Sequence, residues 1–167
     1  MKQPGQTILG AIIYTPLYLL GINFENHFHY TSHLITLGTS TVMMAGAASL
    51  LFYLAYQISK KLFTSMLVSL VFAFGTIIWP YGGVSHHDIY GVFWGVAAFT
   101  CYFEAREHRK TNYYWGAGFF ATLSLFFTML PLTFPLVLWG VTLPSRRMLA
   151  LKKLSLGMIL GLLPTLS

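Results

Sequence analysis

The sequence predicts an all-α protein: a polytopic transmembrane helix bundle with an N-terminal interfacial helix and a broken, proline-containing helical hairpin. Three observations predict it. Of 167 residues, 56% are hydrophobic and only 8% charged, where a soluble domain carries about 25% charged residues. Uncharged runs of bilayer-spanning length recur along the chain. The cations gather in the short segments between those runs. With a mean hydropathy of +0.65, the composition excludes a soluble globule, a disordered chain and a nucleic-acid binder. The net charge of +6 is therefore informative by its placement rather than its sum. Cys101, the single cysteine, lies inside an apolar run, so there is no intrachain disulfide.

The whole chain, 1–167, reads as one partial transmembrane domain. Residues 7–22 form an apolar run interrupted by Pro16, better suited to a helix in the interface than to a full span. No small-residue cleavage site follows, which argues against a signal peptide. Residues 35–58 carry no charge and hold Gly38, Ser40, Gly46, Ala47 and Ala48, the small residues that let membrane helices approach closely. Residues 62–81 make the next span, closed by Trp79, Pro80 and Tyr81, an interfacial group. The third runs over 88–104, bounded by Asp88 and Glu104. The uncharged run at 113–143 is too long for one straight span and has Pro131 and Pro135 just past its middle. We read it as two short helices, 113–130 and 131–143. A last run, 154–167, stops without a polar flank, so the chain is expected to continue.

Positive charge orients these spans. Lys60 and Lys61, then Arg106, Arg109 and Lys110, then Arg146, Arg147, Lys152 and Lys153 occupy three connections. All three lie on the inner side if 113–143 crosses an even number of times, as a broken hairpin does. Glu104, Arg106, Glu107 and His108 then read as a solvated inner loop. The outer connections, 24–34 and 82–88, contain no Lys or Arg and instead hold Glu25, His27, His29, His33, His86, His87 and Asp88. The expected localisation is a multi-pass protein of the plasma (inner) membrane with its active face outside.

Asp88 opens a helix after a Gly-Gly turn, where a carboxylate is stabilised by the helix dipole. It also stands where span ends converge, a place for contact with a polar substrate. His29 and His33 share a face if their segment is helical, and His86 and His87 offer further imidazoles. No spacing fixes the two histidine groups together, so no metal or other cofactor is expected, and these four remain the candidates for a divalent ion.

These residues resemble a stretch of the membrane domain of GT-C glycosyltransferases, nearest to the polyprenyl- or dolichyl-phosphate-sugar-dependent family 39 type that includes protein mannosyltransferases and lipid A aminoarabinose transferases. That family carries a Lys-Pro turn, an interfacial helix ending in Gly, and a span closed by basic residues. Here the matching sequence is KQPGQTILGAIIYTPLYLLGINF, the 35–58 span, then Lys60 and Lys61. Relatives continue with a span ending in GT-x-x-WPYS and an acidic residue opening the next. Here these are Gly75-Thr76-Ile77-Ile78-Trp79-Pro80-Tyr81 and Asp88. The similarity runs over nearly the whole chain.

The resemblance implies an integral membrane transferase that moves a sugar from a polyprenyl-phosphate carrier to an acceptor on the outer face, with a carboxylate as general base. In the family that base precedes the Lys-Pro turn, so it is expected upstream of this chain, and the chain alone is expected to be inactive. The substrate-binding candidates are Lys2, which matches the lysine beside the donor phosphate, Asp88, and its neighbour His87. Two features depart from the family. Thr128 is followed by Met129 where relatives often have a cation, and the histidine pair before Asp88 is unusual. The expected partners are the lipid bilayer, a polyprenyl-phosphate-linked sugar donor and an acceptor the residues do not identify, with no nucleic acid. Two alternatives come from the residues alone: a transport or metal-handling protein using the outer histidines, and a non-catalytic membrane subunit.

Overall fold

The computed structural model describes residues 4–76, 80, 83, 88–127, 133–142 and 148–165. Among them the regular structure is helical, with no strand. Helix α1 (Pro4–Leu19) is followed by α2 (Phe24–Thr36), a π-helical turn (Leu37–Thr41) and α3 (Val42–Ser59). Then come α4 (Leu62–Gly75), α5 (Asp88–Glu107), α6 (Tyr113–Phe127), α7 (Thr133–Thr142) and α8 (Met148–Leu162), with a short 3₁₀ turn at Leu163–Thr165.

Local chemistry sets the first boundaries. Helix α1 continues across Pro16, which the sequence suggested as an interruption. Proline removes one backbone donor, and beside it the Thr15 hydroxyl donates to the Ala11 carbonyl at 2.8 Å. The helix ends at Gly21, whose φ of +80° suits glycine; the Ile22 N–H returns to the Leu17 carbonyl at 3.0 Å. Asn23 then caps α2, its side-chain oxygen accepting from the Asn26 N–H at 2.9 Å.

Two connections expected from the charge pattern are instead helical. Residues 24–34 form α2, which runs on into the 35–58 region, with a kink at His27. The polar residues there do not oppose a helix once Asn23 has capped it. Phe24–Ser59 is the one helix among the described residues long and apolar enough to cross a membrane. Its 36 residues reach about 54 Å at about 1.5 Å each, well beyond a hydrocarbon core of about 30 Å. Likewise, Glu104, Arg106 and Glu107 belong to α5 rather than to a solvated loop, and Glu104 is buried. The run at 113–143 contains α6 and α7, while 128–132, where the hairpin break was expected, lies outside the described residues.

The packing is inverted relative to a soluble protein. On α4, Ser65 and Ala73 are buried, while Leu62, Phe63, Met66, Leu67, Leu70, Val71 and Phe74 face outward. Ser65, Ser69 and Ala73 are spaced by four and form the stripe that meets α3, where the Ser69 hydroxyl donates to the Ala48 carbonyl at 2.9 Å. The core cluster likewise leans on Ala98, Ala105, Ala117, Ala121 and Ala150 around Tyr114, Leu138 and Leu154. Buried Ser and Thr hydroxyls return to carbonyls of their own helices, as Thr122 does to Gly118 at 3.0 Å and Thr142 to Leu138 at 2.6 Å.

The closest approach is between α6 and α8. A methyl group on Gly118 would overlap the Leu154 carbonyl, and one on Gly157 the Trp115 carbonyl. Gly161, four residues after Gly157, faces Thr122. This small-xxx-small geometry lets helix backbones meet without intervening side chains.

Candidate functional site

At one end of the bundle the start of α1, the π turn, the start of α5 and the end of α6 converge. Tyr90, two residues into α5, is fully buried. Its ring stacks on Phe127 with centroids 5.4 Å apart, and its hydroxyl lies 3.3 Å from the Ser40 Oγ. Ser40 is inward because the π turn at Leu37–Thr41 shifts the helical register there. Trp94, one turn along α5, stacks on Phe120 at 5.4 Å and Phe127 at 6.2 Å, and meets Phe93 edge-on at 4.8 Å. The Trp94 Nε1 is buried and has no hydrogen-bond partner among the described residues. Gly5 packs so closely on Phe126 and Phe127 that a side chain there would displace a ring.

Asp88 is half-buried at the first position of α5, two residues from Tyr90. Gly5 in the first turn of α1 and Tyr90 in the first turn of α5 therefore meet on Phe127. In the sequence Lys2 precedes α1 by two residues, and Asp88 is the first residue of α5. Lys2, His86 and His87 themselves lie outside the described residues. So do Thr128 and Met129.

His29 and His33 are exposed one turn apart on α2 and flank a shallow pocket with Tyr30. No group of three or more potential metal ligands occurs among the described residues. The pair by itself offers two nitrogens, fewer than a zinc site uses.

At the other end a second polar cluster forms that the sequence did not reveal. The Tyr53 hydroxyl donates to Glu104 Oε1 at 2.5 Å. The Glu104 Oε2 lies 3.7 Å from the His108 Nε2. Lys60 donates to Gln57 at 2.8 Å, one turn from Tyr53. The separation of Tyr53 and Glu104 in sequence hid the pair. Its one visible sign was an acid within helical reach of an apolar run.

No family model, curated protein or solved structure matches the chain. Chemically, the first cluster is an aromatic wall that holds a buried indole N–H without a partner among the described residues, six residues from Asp88 along α5. A buried donor without an acceptor costs about 1–3 kcal/mol. In the second cluster Glu104 accepts from Tyr53 and lies beside His108, while Lys60 is engaged by Gln57.

Proposed function

We propose that the chain is a multi-pass membrane protein and forms part of a transferase of the GT-C type. Such an enzyme moves a sugar from a polyprenyl-phosphate carrier to an acceptor at the outer face of the plasma membrane. The observation that carries this reading is the meeting of the α1 start and the α5 start at Phe127, beside the buried Trp94 N–H. That meeting supports the joint use of Lys2 and Asp88 on one substrate. Lys2 supplies a cation for the donor phosphate, Asp88 accepts hydrogen bonds from sugar hydroxyls, and His87 stands next to it. The multi-pass reading is supported by the outward-facing Leu, Phe and Val of α4 and the small residues between helices.

The test is to supply membranes carrying the full protein with polyprenyl-phosphate sugars and follow donor consumption. Asp88→Asn removes the charge and keeps the shape, and turnover falls by more than about tenfold if the carboxylate binds the transition state. Wild-type turnover in that variant removes the role of Asp88. Failure to consume any such donor removes the transferase reading altogether.

A further inference from the structure

The basic end of the bundle holds an arrangement that the proposed transferase does not use. A pocket of about 530 Å³ opens between the α5–α6 connection and the start of α8, lined by Arg109, Thr111, Tyr114 and Ala150 among others. Met148 belongs to its wall and also to a second hollow of about 390 Å³. That hollow follows α8 past Leu151 and Ser155 to Ile159, a length of about 17 Å at about 1.5 Å per residue. The two hollows share Met148, so a mixed pocket that holds Arg109 and Thr111 borders a shallow, mostly apolar furrow along α8.

The cations around it are not equivalent. Lys153 donates to Asn112 Oδ1 at 2.6 Å and to the Thr111 hydroxyl at 2.9 Å, so it fastens α8 to the connection. Lys110 lies 5.7 Å from the Tyr113 ring centroid, a cation–π contact. Arg109 has no hydrogen bond or ion pair to another described residue, is exposed, and faces the pocket. Its φ of +52° puts it in the left-handed region, just past the end of α5. Lys152 lines the furrow near its mouth. A planar fork of donors, a second cation and an apolar furrow fit a phosphodiester attached to an acyl chain.

We propose that this pocket binds the headgroup of an anionic phospholipid from the inner leaflet, with one acyl chain along the α8 furrow. Arg109 holds the phosphate, Lys152 adds charge at the furrow mouth, and the lipid joins the α5–α6 connection to α8. This rests on the membrane reading, not on the sugar chemistry. The test begins with carbonate extraction of membranes carrying the full chain, because loss of the protein from the pellet overturns the membrane reading itself. With retained protein purified in neutral detergent, native mass spectrometry compares phosphatidylglycerol with phosphatidylcholine. The anionic lipid binds about fivefold or more tightly than the zwitterionic one.

Arg109→Asn keeps a residue that tolerates the left-handed backbone and abolishes the preference, whereas Lys61→Gln at the same end retains it. Ser155→Trp fills the furrow and weakens long-chain phosphatidylglycerol binding while sparing its short-chain analogue. Equal affinity for the two lipids, or a preference that survives Arg109→Asn, overturns the site. Displacement of the lipid by inorganic phosphate at equal concentration also overturns it, because the pocket would then be a free-anion site.

Discussion

A carboxylate that is 9% exposed needs donors, and Glu104 draws them from two places: Tyr53 on α3 and His108 just past the end of α5. The His108 contact becomes an ion pair only when the imidazole is protonated, so the Tyr53 hydroxyl is the partner that persists. Tyr53→Phe removes that hydroxyl and little else. Because Tyr53 is 39% exposed, the loss belongs at the low end for a hydrogen bond to a carboxylate, about 1 kcal/mol. A melting midpoint lowered by a few degrees in detergent is expected, and Glu104→Gln, which keeps an acceptor for Tyr53, should lose less than Glu104→Leu. An unchanged midpoint in Tyr53→Phe would show that the pair contributes nothing to stability. Glu104 also marks a limit of reading charge along the chain. An acid near Arg106 and Glu107 looks like a solvated loop in one dimension, and only the α3 partner, about fifty positions away, makes it an interior residue.

At the scale of elements, glycine carries different meanings that composition does not separate. Gly118 and Gly157 sit where the backbones of α6 and α8 meet, so any side chain there must push the helices apart. Gly140 has open space around its Cβ position and no positive φ. Gly157→Ala is therefore expected to destabilise by about 1–3 kcal/mol through overpacking. Gly140→Ala is expected to be neutral or to stabilise by up to about 1 kcal/mol, since alanine is the better helix former. Thermal unfolding of the two variants in one detergent checks this, and similar midpoints would remove the close α6–α8 contact as a source of stability. The spacing Gly157-x-x-x-Gly161 carries a signal for this contact, as Ser65, Ser69 and Ala73 do for α4, but the only small residues singled out from the sequence were those of 35–58. The π turn was not legible. Leu37–Thr41 reads as an ordinary stretch of helix, and its effect on Ser40 depends on Tyr90 from α5. Helix α2 was misread for a simpler reason: polar residues were taken to end an apolar span, whereas the backbone continues helical through them.

For the molecule as a whole, the distribution of polarity between the two ends is the feature that sequence and packing share. Every described Lys and Arg lies in 60–61, 106–110 or 152–153. The Tyr53–Glu104 and Lys153–Thr111 bonds tie these segments together at one end of the bundle. The histidine-bearing helix α2 extends from the opposite end of α3. If the basic end faces the cytoplasm, as the proposed orientation has it, the two ends differ in their access to reagents that do not cross membranes. In a background with Cys101 replaced by Ser, a cysteine at the exposed Ser32 is expected to react with an impermeant maleimide on intact cells. A cysteine at the exposed Lys110 is expected to react only after the cells are opened. The opposite pattern would invert the orientation and move Asp88 to the cytoplasmic side, where an outer-face transferase could not use it. Labelling of both positions on intact cells would remove the membrane barrier between the two ends. The outward Leu and Phe of α4 would then have to be covered by protein rather than lipid.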